Sequence, residues 1–310
     1  MKPKTLNILI CPGCTGSLSL TIENRENDEV REGSLNCSVC GTGYPVRDFV
    51  PRFTRTDKYA DIFSFEWNRF YDVQIDILNN TDESERTFLD KTGFGRSNAK
   101  GKLFLDAGVG AGRFAEVVSR WGGEVIGIDL SLAVDAAYRN IGKRENVHIL
   151  QADIFRLPFR SESFDHIYSI GVLHHTPDTR KAFAALVPFL KTGGSLSVYV
   201  YENSPFHKYS DKWRRYTTRM NTRFLYYLSS LSIPAYYPFR IPLIGPRLQY
   251  WLPISMHTDH RVRWLDTFDW YSPAFQWKHS VDEVKSWYKE YGFVDIEVYP
   301  FPVCVKGRKA

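Results

Sequence analysis

The chain lacks any apolar run long enough to cross a bilayer. Its longest uncharged stretch, residues 224–239, carries serines and is broken by Pro234 and Pro238, whereas a spanning helix needs about 20 apolar residues. The opening MKPKTLNILICPGC holds too short an apolar segment for a secretory leader. Cysteine is scarce, five in 310 residues, so a disulfide-built secreted scaffold is excluded. These absences predict a cytoplasmic globular protein, and 43% hydrophobic with 24% charged residues agrees. At this length, one large domain plus a small one is expected.

Two marks of phosphate binding are also missing. The stretch LFLDAGVGAGRFAEVV sets Gly108, Gly110 and Gly112 behind an apolar run ending in Asp106. No Lys-Ser/Thr pair follows to reach phosphates and Mg²⁺. The third glycine comes one residue early for a dinucleotide turn, and Arg113 stands where that turn needs glycine. A carboxylate beside the turn would repel a pyrophosphate but suits a ligand carrying an amine and a sulfonium. The turn is therefore predicted to hold S-adenosylmethionine.

Four of the five cysteines fall in two C-x-x-C pairs, Cys11 with Cys14 and Cys37 with Cys40. Two such knuckles complete a closed tetrahedral zinc site with no open position, so its role is structural. Redox-active pairs are the weaker alternative, because neither pair opens a helix that would lower a thiol pKa. The residues CPGCTGSLSL and CGTGYPVRDFVPRF resemble the small zinc ribbon that activates several methyltransferases.

From residue 101, apolar runs alternate with amphipathic stretches, the pattern of a parallel sheet covered by helices. Strands are expected at 102–106, 124–129, 147–153, 164–175 and 195–201, with ligand-binding ends on one edge. Asp106, Gly108 and Gly110 would hold the methionine end. Asp129, with Leu130, is placed for the ribose hydroxyls, and Asp153, with Ile154, for the adenine. The run LDAGVGAGRFA, GIDLS, ADIFRLPF, FDHIYSIGVLHHTPD and LKTGGSLSVYV resembles the class I S-adenosylmethionine-dependent methyltransferases, and the resemblance resumes at VDEVKSWYKEYGFVDIEVY. It implies a doubly wound, Rossmann-like α/β fold with a seven-stranded sheet whose last strand, near 302–306, runs antiparallel. The segment FSFEWNRFYDVQ, with Trp67, resembles the family's cap over the cofactor; a linker helix on the sheet is the equal alternative.

The expected organisation is a zinc ribbon (1–55), a linker and cap (56–100), the core (101–203), a mostly helical insertion (204–270) and the end of the core (271–310). A hydroxyl acceptor would want a base near pKa 7, which points to His174 and His175 after the fourth strand. Residues 171 onward read GVLHH, not the N/D-P-P-Y/F loop that grips a flipped adenine, and no Pro-Cys nucleophile for cytosine C5 is present.

The insertion holds ten Lys/Arg against four Asp/Glu, so the net +5 of the chain lies wholly within it, and 15 of its 67 residues are aromatic. Trp213, Tyr216, Met220, Phe224 and Tyr227 fall on one helical stripe. That stripe is expected to pack on the core as a lid, with the arginines facing water. A peripheral membrane contact and an RNA contact are the second and third readings. The acceptor is expected to be a small molecule such as a sugar, quinone or polyketide-like metabolite. An RNA base is the runner-up, and a catalytically silent cofactor-binding scaffold the rival of another class.

Overall fold

The computed structural model describes residues 1–203 and 208–310; residues 204–207 of the expected insertion lie outside the described residues. Near the N-terminus, β1 (Leu18–Glu26), β2 (Glu29–Cys37), β3 (Gly43–Arg47) and β4 (Val50–Pro51) form an antiparallel sheet in chain order. Asn27 turns β1 into β2 with φ 53°, a left-handed conformation that asparagine tolerates.

The second sheet contains β5 (Leu103–Ala107), β6 (Glu124–Asp129), β7 (Val147–Gln151), β8 (Phe164–Ile170), β9 (Leu190–Tyr199), β10 (Phe293–Tyr299) and β11 (Cys304–Lys309), in the order β10-β11-β9-β8-β5-β6-β7. β5 to β9 pair in parallel, while β11 is antiparallel to both β9 and β10. The last strand thus runs antiparallel as the resemblance implies, one place in from the edge. Phe104, Leu105, Asp106 and Ala107 of β5 are all buried, as a central parallel strand covered on both faces requires. Chain order reverses between β5 and β8, and the crevice beyond their carboxyl ends is where open α/β sheets bind ligands.

The ribbon is packed into this sheet. Phe53 N–H donates to Gln151 O of β7 at 2.8 Å, and Lys2 Nζ donates to Gly142 O and Val147 O at 2.6 and 2.9 Å. Leu9, Val30 and Leu35 share one hydrophobic cluster with Leu105, Ile126 and Leu150. The segment carrying the two cysteine pairs is therefore tied to the main core.

The insertion contributes helices Lys208–Thr217, Thr222–Ser229, Ser232–Phe239, Gly245–Trp251 and His260–Tyr271. His260–Tyr271 packs its Leu265, Phe268 and Tyr271 on Phe70 and on Leu225 and Tyr226 of Thr222–Ser229. The expected stripe does not pack on the core: Trp213, Tyr216, Met220, Phe224 and Tyr227 are all exposed, Tyr216 at 66% and Tyr227 at 64%. Two physical reasons account for the reversal. Asn221 caps a new helix by accepting from Arg223 N and Phe224 N, so the stripe is split between two helices. And Arg214, expected in water, is buried and donates to Trp270 O and Pro273 O at 3.2 and 2.6 Å. Among the described residues, no helix is long and apolar enough to cross a membrane.

Candidate active site

At the carboxyl ends of β5, β6 and β7, a cavity begins at the glycine turn. Gly108 takes φ +100° and lies so close to Val172 that a Cβ would meet it at 2.3 Å, so only glycine fits. Gly110 takes φ +51°, with the Trp67 ring 3.2 Å from where a Cβ would stand. Trp67 comes from the helix Asp61–Arg69, which faces the cavity with Phe63, Glu66 and Trp67 while Phe65 packs against Tyr226 and Phe268. The helix spans from the glycine turn to the insertion.

Gly108, Gly110, Asp129, Leu130, Asp153, Ile154 and Trp67 all line this one cavity. Asp129 Oδ1 accepts from Ser131 N and Oγ, and Oδ2 accepts from Gly110 N at 3.1 Å. With about four lone-pair sites on a carboxylate, one remains for a ligand, so Asp129 shapes the turn as well as facing the cavity. Burial raises its pKa. Asp153 Oδ1 caps the short turn Ile154–Arg156 through Phe155 N at 2.9 Å. Asp106 differs from the rest. It is 3% exposed, does not line the cavity, and burial pushes its carboxyl up to about 8.

The two histidines separate in the structure. His175 lines the cavity, and its Nδ1 donates to Phe275 O at 2.8 Å, leaving Nε2 as the acceptor. His174 lies behind it, fully buried, 4.0 Å from the Tyr201 ring, with neither ring nitrogen hydrogen-bonded. Burial pushes His175 down to about 4 and His174 well below the usual histidine range. Desolvation disfavours the imidazolium in both rings, whereas the sequence expectation asked for a base near pKa 7 at this place.

Beyond the histidines the cavity continues under the insertion to Lys91, Tyr199, Tyr201, Asp266, Asp269 and Trp270. Sequence reasoning missed Glu66, Asp266 and Asp269. Their signal was an acid enclosed by aromatics, in SFEW and LDTFDW, where a solvated carboxylate has no reason to be.

In the ribbon, the sulfurs of Cys11, Cys14, Cys37 and Cys40 all lie within 4.8 Å of one another. Cys11 and Cys40 are 3.7 Å apart, and Cys14 and Cys37 3.4 Å. Cys304 is buried in the last strand and is not part of this cluster.

Comparison with known proteins separates the same two parts. Residues 105–198 match the methyltransferase domain family, and residues 2–48 match the Trm112p-like protein family. Phosphoethanolamine N-methyltransferase 2 of Caenorhabditis elegans is 31% identical over 192 residues, covering 60% of this chain and 40% of the relative. Demethylmenaquinone methyltransferase of Thermobifida fusca is 32% identical over 108 residues, covering 34% and 46%. The probable tRNA methyltransferase 9B of Bos taurus is 31% identical over 115 residues, covering 36% and 24%. The chain thus spans less than half the length of each of these curated relatives. A Haloferax volcanii complex of the Trm112 methyltransferase activator with a putative methyltransferase overlays 79% of this chain and 96% of its own at 13% identity and TM-score 0.46. The chain thus carries a region similar to Trm112p-like proteins at 2–48 and, behind it, a region similar to methyltransferase domains at 105–198.

Proposed function

We propose that the protein transfers the methyl group of S-adenosylmethionine to a small-molecule acceptor held between the sheet and the insertion. One observation carries this reading: a single cavity runs from the glycine turn to Glu66, Asp266 and Asp269 beneath the insertion. Bound S-adenosylmethionine supplies a methyl group already activated on a sulfonium. The residues fit it: the bare backbone of Gly108 and Gly110 for the methionine end, Asp129 for a ribose hydroxyl, Asp153 and Ile154 for the adenine. Trp67 closes over the turn and excludes water, so the chain's part is alignment. The roof made by Asp61–Arg69 and His260–Tyr271 favours a small acceptor such as a sugar or quinone over an RNA base. Calorimetry tests the cofactor end: Asp129→Ala should weaken S-adenosylmethionine by roughly 1.5–3 kcal/mol, the worth of hydrogen bonds to a charged group. Unchanged affinity would remove Asp129 from the ligand set, and binding with no transfer to any acceptor would favour the scaffold reading.

We infer that the four ribbon thiolates hold a structural zinc. Zinc–sulfur bonds of about 2.3 Å in a tetrahedron separate sulfurs by about 3.8 Å, close to the spacings found here.

A membrane-facing insertion is supported by the distribution of charge and exposed apolar surface. Fourteen of the 26 exposed large apolar side chains among the described residues lie between Trp213 and Leu252. Residues 212–252 contain seven Lys/Arg and no Asp or Glu. A second copy of the same face would be repelled by like charge, whereas an anionic lipid surface complements it. Leu228, Leu231, Ile241, Leu243 and Ile244 are aliphatic and exposed, which suits acyl chains better than stacked bases. We propose that this face rests on anionic lipid and presents the cavity to an acceptor there.

A further inference from the structure

Glu66 is 0% exposed, and neither of its carboxyl oxygens has a hydrogen-bond partner among the described residues. It lines the cavity from the helix that carries Trp67 over the glycine turn. An unpartnered buried carboxyl is costly, and a site that tolerates one has a use for it. We infer that Glu66 is the catalytic base, taking the proton from an acceptor that attacks through a hydroxyl oxygen. This rests on the methyl-transfer reading above and replaces His174 and His175 in the role expected from the sequence.

The charges facing the cavity support the assignment. On His260–Tyr271, burial raises both Asp266 and Asp269 to about 6, but Asp266 accepts from Ser255 Oγ at 3.0 Å with Arg113 nearby, and Asp269 accepts from Tyr201 OH at 3.1 Å with Arg214 nearby. Each aspartate therefore already has a donor and a cation in its field. From Glu83–Thr92, Lys91 adds another positive group, 3.7 Å from the Tyr199 ring centroid. His175 is neutral. Among the described carboxyl groups lining the cavity, Glu66 is the one with no hydrogen-bond partner, and burial, then Asp269 and Asp266, hold its carboxyl well above the usual range.

A sulfonium entering the same cavity would supply the missing positive charge and draw Glu66 into its ionised form. The transfer then removes both charges at once. The acceptor oxygen bonds to the methyl carbon, and the carbon–sulfur bond breaks with its electron pair left on a neutral thioether. The hydroxyl proton passes to the Glu66 carboxylate, which becomes a neutral acid. In a low-dielectric cavity, loss of a separated charge pair favours the forward step.

Binding calorimetry in two buffers of different ionisation enthalpy tests this without turnover. At pH 7, S-adenosylmethionine should release about one more proton per chain than S-adenosylhomocysteine, which lacks the sulfonium charge. Glu66→Gln should bind both ligands and abolish the difference. Equal proton release by the wild type, or a difference that survives in Glu66→Gln, overturns the assignment. Failure of either ligand to bind the wild type would instead overturn the methyl-transfer reading. With a metabolite extract and labelled S-adenosylmethionine, the label should enter a C–O–CH₃ group and fall at least about 100-fold with Glu66→Gln. Label on nitrogen overturns the hydroxyl class.

Discussion

The ribbon and the insertion both lie outside the parallel sheet, yet they dispose of their apolar side chains in opposite ways. The ribbon hands Leu9, Val30 and Leu35 to the main hydrophobic cluster and keeps its four thiols together at one end. The insertion buries one side of His260–Tyr271 against Leu225 and Tyr226, and leaves many large apolar side chains of its other helices, such as Tyr216, Phe224, Tyr237 and Leu243, exposed. Even its arginines divide. Arg263 donates to His257 O, Ile233 O and Thr258 O, and Arg214 to Trp270 O and Pro273 O, whereas Arg215, Arg219 and Arg223 are exposed. A burial pattern of the first kind serves stability. One of the second kind costs solubility and is retained where something else covers it.

The largest expected effect falls on the ribbon. Structural zinc contributes on the order of 10–16 kcal/mol to the folding of small zinc domains, and here the ribbon shares its core with the sheet. Preparations should contain one zinc per chain, and chelation should lower a single melting transition of the whole chain in calorimetry. A separate ribbon transition, or an unchanged melt in metal-free protein, would break the contrast. Next comes the insertion. Replacing Arg215, Arg219 and Arg223 by Gln should weaken binding to anionic vesicles by about 3 kcal/mol, roughly a hundredfold. Each change should move stability by no more than about 0.5 kcal/mol. Vesicle flotation at low and high salt decides it, and single-stranded RNA binding in place of vesicle binding would reassign the face.

The smallest effect concerns His175 at the cavity wall. Burial lowers its folded pKa to about 4, against about 6.5 when unfolded. Its neutral form contributes stability in full above pH 6.5, and that contribution is lost as pH falls from 6.5 towards 4. His175→Gln should cost about 1 kcal/mol at pH 7 through the Phe275 bond. The gap should then close by up to about 1.4 kcal/mol per unit as pH falls. Denaturant melts at pH 7 and pH 5 measure it, and a pH-independent gap would contradict a neutral buried ring.

The strands were legible in the sequence because parallel strands write themselves as short apolar runs: Asp129 ends β6 as expected, whereas β5 runs one residue past Asp106 and β7 stops two residues before Asp153. The segment after Ile170 was not: an apolar run through His175 reads as strand, but Gly171 at φ +78° ends β8 and a short 3-10 turn, Leu173–His175, follows. The stripe of the insertion misled for a local reason. Its five residues keep helical spacing across Thr218–Asn221, where the helix ends and Asn221 caps the next. The N-cap asparagine was the available signal. Glu66, Asp266 and Asp269 were illegible as a group, because only the packing of Asp61–Arg69 beside His260–Tyr271 brings positions about 200 residues apart to one cavity.

The docking of the ribbon on β7 has a consequence for concentration. Nine residues separate Pro51, at the end of the ribbon sheet, from Asp61, at the start of the cavity helix, so the ribbon finds its seat by a first-order event. A short tether of this kind holds a module at an effective concentration of millimolar or more. Dilution, which would strip a ribbon carried on a separate chain, leaves this one in place. The melting temperature of the pair is then set by the fold alone, with no mass-action contribution from how much protein is present.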